Sequence, residues 1–230
     1  MIEHLPLWIT LLFLLTLGAT VWLFYLANGK RRMFAGFIVL WSFAQGMLAY
    51  VGFYQETDTT PPRFALVLLP VTLLLIYGML PKQRNWIFTH RNTQISTFLH
   101  TIRVPVEIVL WQLYLYGAIP ELMTFEGRNF DILAGLTAPV VGYFYGTDRQ
   151  SKKGLLWWNV AGLALVSFIL FNGILSAELP FQQFAFDQPN RGITFFPFVL
   201  LPATIVPLVI YTHLTDILKL RREIRNERDD

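Results

Sequence analysis

Apolar residues run in blocks of about twenty, separated by short polar stretches rich in Gly, Pro and basic side chains. About 20 apolar residues cross a ~30 Å hydrocarbon core. The blocks near residues 5–27, 33–54, 64–81, 94–117, 130–146, 154–175 and 193–214 therefore predict seven transmembrane helices. Between them lie turn-forming connections such as "NGKRR", "QETDTTPPR", "PKQRNWIFTHRN", "GTDRQSKKG" and "ELPFQQFAFDQPNRG". The expected fold is all-α: a polytopic bundle over residues 1–214 followed by a basic tail, 215–230. Glu3 stands where a signal peptide would carry basic residues, and no small-residue cleavage site follows, so the first block is expected to be a retained helix.

Basic residues set the expected orientation. Of the 18 Lys and Arg, one set of connections carries Lys30, Arg31, Arg32, Lys82, Arg84, Arg91, Arg149, Lys152 and Lys153. The tail adds Lys219, Arg221, Arg222, Arg225 and Arg228. The opposite set carries only Arg63, Arg128 and Arg191. Cytoplasmic loops hold the Lys and Arg excess, so the amino terminus is expected outside and the carboxyl terminus in the cytoplasm of a cell-membrane protein.

Composition agrees: 54% of residues are hydrophobic and 14% charged, too apolar for an ordinary water-soluble domain. The lipid bilayer is the partner this implies. A net charge of +3 spread between apolar runs argues against nucleic acid. With no Cys, disulfides, thiolate metal sites and cysteine nucleophiles are excluded. His4 and His90 lie in loops, so no three-His metal site is expected, and no cofactor. A two-His haem site is the one arrangement His100 and His213 would leave open.

An internal repeat is visible in outline. "VLLPVT" at 67–72 matches "VLLPAT" at 199–204, and "AGFIVLWSFAQG" from Ala35 aligns with "AGLALVSFILFNG" from Ala161. Helices one to three and five to seven would then be parallel copies joined by helix four, a 3+1+3 plan used by transporters.

The chemistry concentrates in helix four. His100, Arg103, Glu107, Trp111 and Tyr114 fall at offsets of 0, 3, 7, 11 and 14, on one helical face. At ~1.5 Å per residue, Glu107 lies about 20 Å from Thr93 and about 15 Å from Gly117, near mid-bilayer. An acid there costs about 2.5–3.5 kcal/mol on insertion scales, so it must face the bundle, pair or hold its proton. Arg103 is expected to pair with Glu107 at i,i+4 or to snorkel. Depth matching adds Gln45, Gln112 and Asn172 as hydrogen-bonding candidates, and it lets His213 approach His100 beside Asn159. Asn129 or Asp131 is expected to cap helix five. Pro105, Pro197, Pro202 and Pro207 each free a carbonyl that a neighbour or a cavity must satisfy. The tail is expected either to lie on anionic lipid or to extend helix seven into solvent.

The segments "LMTFEGRNFDILAGLTAP" and "FAFDQPNRGITFFPFVLLPATIVPLV" resemble a group of bacterial seven-helix membrane proteins with no assigned function. The resemblance implies topology alone. Microbial rhodopsins share the length and orientation but need a Lys in the last span, and residues 193–214 contain none. The expected function is a small-solute or proton-coupled transporter with Glu107 as the protonatable group. The alternatives are an intramembrane enzyme using His100 and Glu107, and a membrane sensor or assembly protein.

Overall fold

The computed structural model describes residues 2, 4–145 and 149–229, and among them the regular structure is helical, with no strand. Nine α-helices follow in order: α1 Leu7–Ala27, α2 Arg32–Tyr50, α3 Ala65–Gly78, α4 Pro81–His90, α5 Thr93–Leu99, α6 Arg103–Leu115, α7 Ile132–Phe144, α8 Arg149–Ser176 and α9 Val206–Asp229. Residues 146–148, which include the end of the expected fifth span and the start of a basic loop, lie outside the described residues.

Among the described residues four helical stretches are long and apolar enough to cross a membrane: Leu7–Ala27, Arg32–Tyr50, Ser151–Ser176 and Leu201–Glu227. The pair α3 and α4, bent by 75°, makes a fifth if counted as one span. Their solvation is inverted relative to a water-soluble protein. Leu15, Leu69, Val140, Trp157 and Phe171 are all more than half exposed, while His100, Arg103 and Glu107 are buried. Apolar helices of membrane length, with many exposed apolar side chains and buried charges, suggest a membrane protein.

The expected fourth span is built from three pieces. Asn92 caps α5, its side chain accepting the Ile95 N–H at 2.9 Å. A 3-10 turn, His100–Ile102, then joins α5 to α6. Pro105 accounts for the turn: it has no N–H for the Thr101 carbonyl and its ring crowds that carbonyl, so the chain tightens just ahead of it. The connection expected at 82–93 is largely helical, because Pro81 occupies the first turn of α4, where its missing N–H costs nothing.

The last helix is the hub. In its membrane-length window 78% of residues are buried, against 28% in α1, α2 and α8. It begins as a π-helical segment, Leu201–Ile205. Pro207 frees the Ala203 carbonyl, and the Trp41 indole of α2 donates to it at 2.9 Å. The same helix continues unbroken to Asp229, with Ile217, Leu220 and Ile224 buried. Leu220 packs in a small cluster with Val141 and Leu155. Within the expected tail, Ile217, Leu220 and Ile224 are thus packed inside the protein, while Arg221 and Arg222 are exposed.

Candidate functional site

Arg103, the first residue of α6, reaches three other helices. Its Nη1 lies 3.0 Å from Asp131 Oδ1 at the start of α7. Its Nη2 donates to His213 Nε2 on α9 at 2.9 Å and lies 3.5 Å from the Gly162 carbonyl of α8. The ion pair is therefore with Asp131 and corrects the expected pairing with Glu107. Side chains on a helix lean toward its N-terminus, so Arg103 points away from Glu107, one turn further on. Close packing completes the contact: a Cβ on Gly135 of α7 would sit 3.0 Å from Arg103 Cβ and from the Val104 nitrogen. Asp131 occupies the cap position of α7 but makes no side-chain cap bond.

His213 is held in one tautomer. Because Nε2 accepts from Arg103, the proton resides on Nδ1, which donates to Asn159 Oδ1 at 2.8 Å. Asn159 is oriented in turn by donating to the Leu155 carbonyl at 2.9 Å. His100 stacks on His213 with centroids 3.9 Å apart and planes 11° from parallel. The Trp158 ring packs edge-on against His100 at 5.4 Å. Neither nitrogen of His100 has a hydrogen-bond partner. The expected approach of the two histidines is met, but face-to-face stacking leaves no room for a haem between them. Among the described residues no three of His, Asp and Glu are grouped to hold a metal ion.

Glu107 uses one oxygen only. Oε1 accepts from Asn129 Nδ2 at 2.5 Å, and Oε2 has no partner. Asn129 is engaged at both ends of its amide: Nδ2 also donates to the Met123 carbonyl at 3.1 Å, and Oδ1 accepts the Asp131 N–H at 3.1 Å in an Asx turn. Glu107, Asn129, Asp131 and Asn190 line a cavity of about 60 Å³ whose other lining side chains, such as Leu68, Val106, Leu110, Val166 and Leu201, are apolar. By the measure of about 10–15 Å³ for one water, this is room for a few small-molecule heavy atoms.

Asn190 was not distinguished in the sequence from other amides in "FQQFAFDQPNRG". It belongs to the loop between α8 and the π segment. Gly192 N–H donates to the Ala118 carbonyl at 2.7 Å, and Gln188 Nε2 to the Ile119 carbonyl at 2.5 Å. Asn190 N–H donates to the Ser176 carbonyl at 2.8 Å and Nδ2 to the Gly173 carbonyl at 3.2 Å. Those bonds fix the amide, and its Oδ1 is buried without a partner.

The other candidates lie apart from this cavity. Gln45 accepts from the Tyr54 hydroxyl at 2.5 Å, and Asn172 bonds back to the Phe168 carbonyl of its own helix at 2.8 Å. Gln112 is partly buried and does not line it. Trp111 packs on Phe125 at 5.9 Å, and the Tyr114 hydroxyl meets Glu121 at 3.5 Å near the end of α6.

A second buried ion pair was hidden among loop and tail charges. Arg91, just after α4, binds Asp216 of α9 through Nε at 2.5 Å and Nη2 at 3.1 Å. Arg91 also donates to Asn28 Oδ1 at 2.6 Å and to the Thr212 carbonyl at 3.1 Å, while Ser96 donates to Asp216. No polar side-chain atom of Arg91 or Asp216 is left over. This pair is a clasp between the ends of α1 and α4 and the middle of α9.

Compared with known proteins, residues 59–221 match a family model described as a domain of unknown function, DUF8737. No curated protein and no solved structure matches the chain.

Proposed function

The chain belongs to the family described as a domain of unknown function, DUF8737, and from that premise we propose that it is a multi-pass membrane transporter. It moves a small solute, coupled to protons, through the cavity beside Glu107. In this reading all seven apolar segments cross the bilayer, α5 and α6 together forming the fourth crossing, with the amino terminus outside and the carboxyl terminus cytoplasmic. The observation that carries the reading is the contrast between the two buried ionic clusters. Around Arg91 every polar atom is engaged, as a structural cluster requires. Around Glu107, Oε2 and Asn190 Oδ1 are buried and unpaired, on two residues that line the same cavity. Leaving such groups unsatisfied costs about 1–3 kcal/mol each, a cost that fits a binding site better than a packing element.

The roles divide accordingly. Glu107 takes and releases the proton. Arg103 balances Asp131 and, through His213, ties the site to α9. Gln45, Gln112 and Asn172 are left as helix-packing groups, and solute contacts pass to Asn129 and Asn190. The enzyme reading has less support, because His100 and His213 are fully buried and away from the cavity.

Proteoliposomes loaded with a pH-sensitive dye test the proposal. Offered methylammonium, acetate, glycine and glycerol in turn, wild-type vesicles should take up at least one solute with a linked pH change. Glu107→Gln should abolish that flux while the purified variant keeps its melting profile. Flux of no solute that depends on Glu107 would overturn it.

A further inference from the structure

We propose that the cavity beside Glu107 selects a small protonated amine: ammonium or a short primary alkylammonium. This rests on the transporter reading above and names its substrate class. The first argument is the sign of the free hydrogen-bonding capacity. The two unpaired polar atoms of the cavity residues Glu107 and Asn190 are both oxygens, Glu107 Oε2 and Asn190 Oδ1. The donors on side chains lining the cavity are engaged, Asn129 Nδ2 on Glu107 and Met123 and Asn190 Nδ2 on Gly173, and Arg103, whose Nε and Nη1 make no hydrogen bond, does not line it. A ligand that must be met by donors, such as a carboxylate, a phosphate or a zwitterionic amino acid, finds none on offer. A ligand rich in N–H groups finds two acceptors, both on residues that are 1% exposed or less.

The second argument is charge balance. Glu107 and Asp131 contribute two carboxyl groups against the single guanidinium of Arg103, which Asp131 holds at 3.0 Å. One negative charge remains on the cavity side, neutralised at low dielectric by one proton or one monocation. A proton and a protonated amine are then alternative occupants of Glu107, which is the exchange that coupling needs.

The third argument is size and wall. About 60 Å³ admits a group of a few heavy atoms. Apart from the polar groups named, the wall is made by side chains such as Val106, Leu110, Val166 and Ile169, which suit a methyl or ethyl tail. A quaternary ammonium has the charge but no N–H to give Asn190 Oδ1, and is excluded on chemistry as well as bulk.

The experiment measures binding and transport separately. Purified wild-type protein is titrated with methylammonium chloride at constant ionic strength against sodium and tetramethylammonium chloride, following the melting temperature. Methylammonium alone should stabilise it. Glu107→Gln and Asn190→Leu should each weaken that effect about tenfold or more, the loss of one charge-assisted hydrogen bond. Asn190→Leu also removes the bond to Gly173, so Asn190→Asp, which keeps an oxygen at the cavity, serves as the second variant and should bind at least as tightly as wild type. In the proteoliposome panel, methylammonium should be the transported solute. Equal stabilisation of wild type and Glu107→Gln, or by tetramethylammonium, would overturn the proposal. So would Glu107-dependent flux of glycine or glycerol with none of methylammonium, a result that leaves the transporter reading standing.

Discussion

Glu107 and Asp216 are acids of equal burial and opposite circumstance. Asp216 accepts from Arg91 on both oxygens and from Ser96, whereas Glu107 accepts only from Asn129. Removing one member of a buried pair strands a charge, at a cost of about 3–5 kcal/mol, while removing both can be nearly neutral. Arg91→Met and Asp216→Leu should therefore each lower the unfolding midpoint in denaturant titrations, and the double variant should recover most of the loss without touching transport. Asp131→Asn should be as costly as either single change, because it strands Arg103. His213 offers a direct observable: nitrogen NMR of the labelled side chain should show a neutral ring protonated on Nδ1. A ring protonated on Nε2 would break the link to Arg103 on which the site's connection to α9 depends.

Gly162 sets how close α8 comes to His213, and Gly36 does nothing comparable. A Cβ on Gly162 of α8 would stand 2.5 Å from His213 Cε1 and 2.7 Å from Nε2, nearer than real contacts allow. Gly162→Ala must displace the imidazole from Arg103, and overpacking of this kind costs about 1–3 kcal/mol. Its counterpart in the repeated pattern, Gly36 of α2, has open space around it. Gly36→Ala should be neutral or stabilising by up to about 1 kcal/mol, the usual gain inside a helix. Thermal unfolding of the two variants in detergent separates them, and equal effects would refute the packing argument. The same comparison measures how far the two halves of the pattern differ: "VLLPVT" lies in the regular helix α3, whereas "VLLPAT" runs into the π segment.

For the molecule as a whole, the proposed topology places the loop before the π segment and the end of α9 on opposite sides of the bilayer. The chain has no cysteine, so single cysteines at Asp187 and Arg221 report sidedness without background. An impermeant maleimide added to intact cells should label the first and spare the second. The same loop has a pH signature. Arg191 binds Glu178 through two bonds of 2.6 Å, and those hydrogen bonds hold the Glu178 carboxyl below its usual range. A depressed acid contributes stability above its unfolded pKa and loses it as pH falls through the folded value. The melting-temperature gap between wild type and Glu178→Gln should therefore be small at neutral pH and vanish on acidification. An exposed pair of this kind is worth about 0–1 kcal/mol.

Among the described residues four of the seven apolar blocks form helices of membrane length, legible because length and composition nearly suffice to predict such a helix, and the lone acid in the fourth block stood out because ionisable groups in such blocks are rare. Periodicity also grouped His100, Arg103 and Glu107, and all three are buried, although Arg103 and Glu107 meet different partners. Partner choice could not be read along the chain. Whether Arg103 meets Glu107 or Asp131 depends on how near α7 stands, and that distance is set by Gly135 against Val104. Asn190 reaches the cavity only because its loop folds back on Ala118 and Ile119. The bond between Arg91 and Asp216 joins residues 125 apart, and each alone looks like an ordinary surface charge. Local chemistry named the helices and the expensive groups. Contacts between helices, which no one-dimensional spacing encodes, decided which of those groups are satisfied and which are left unpaired.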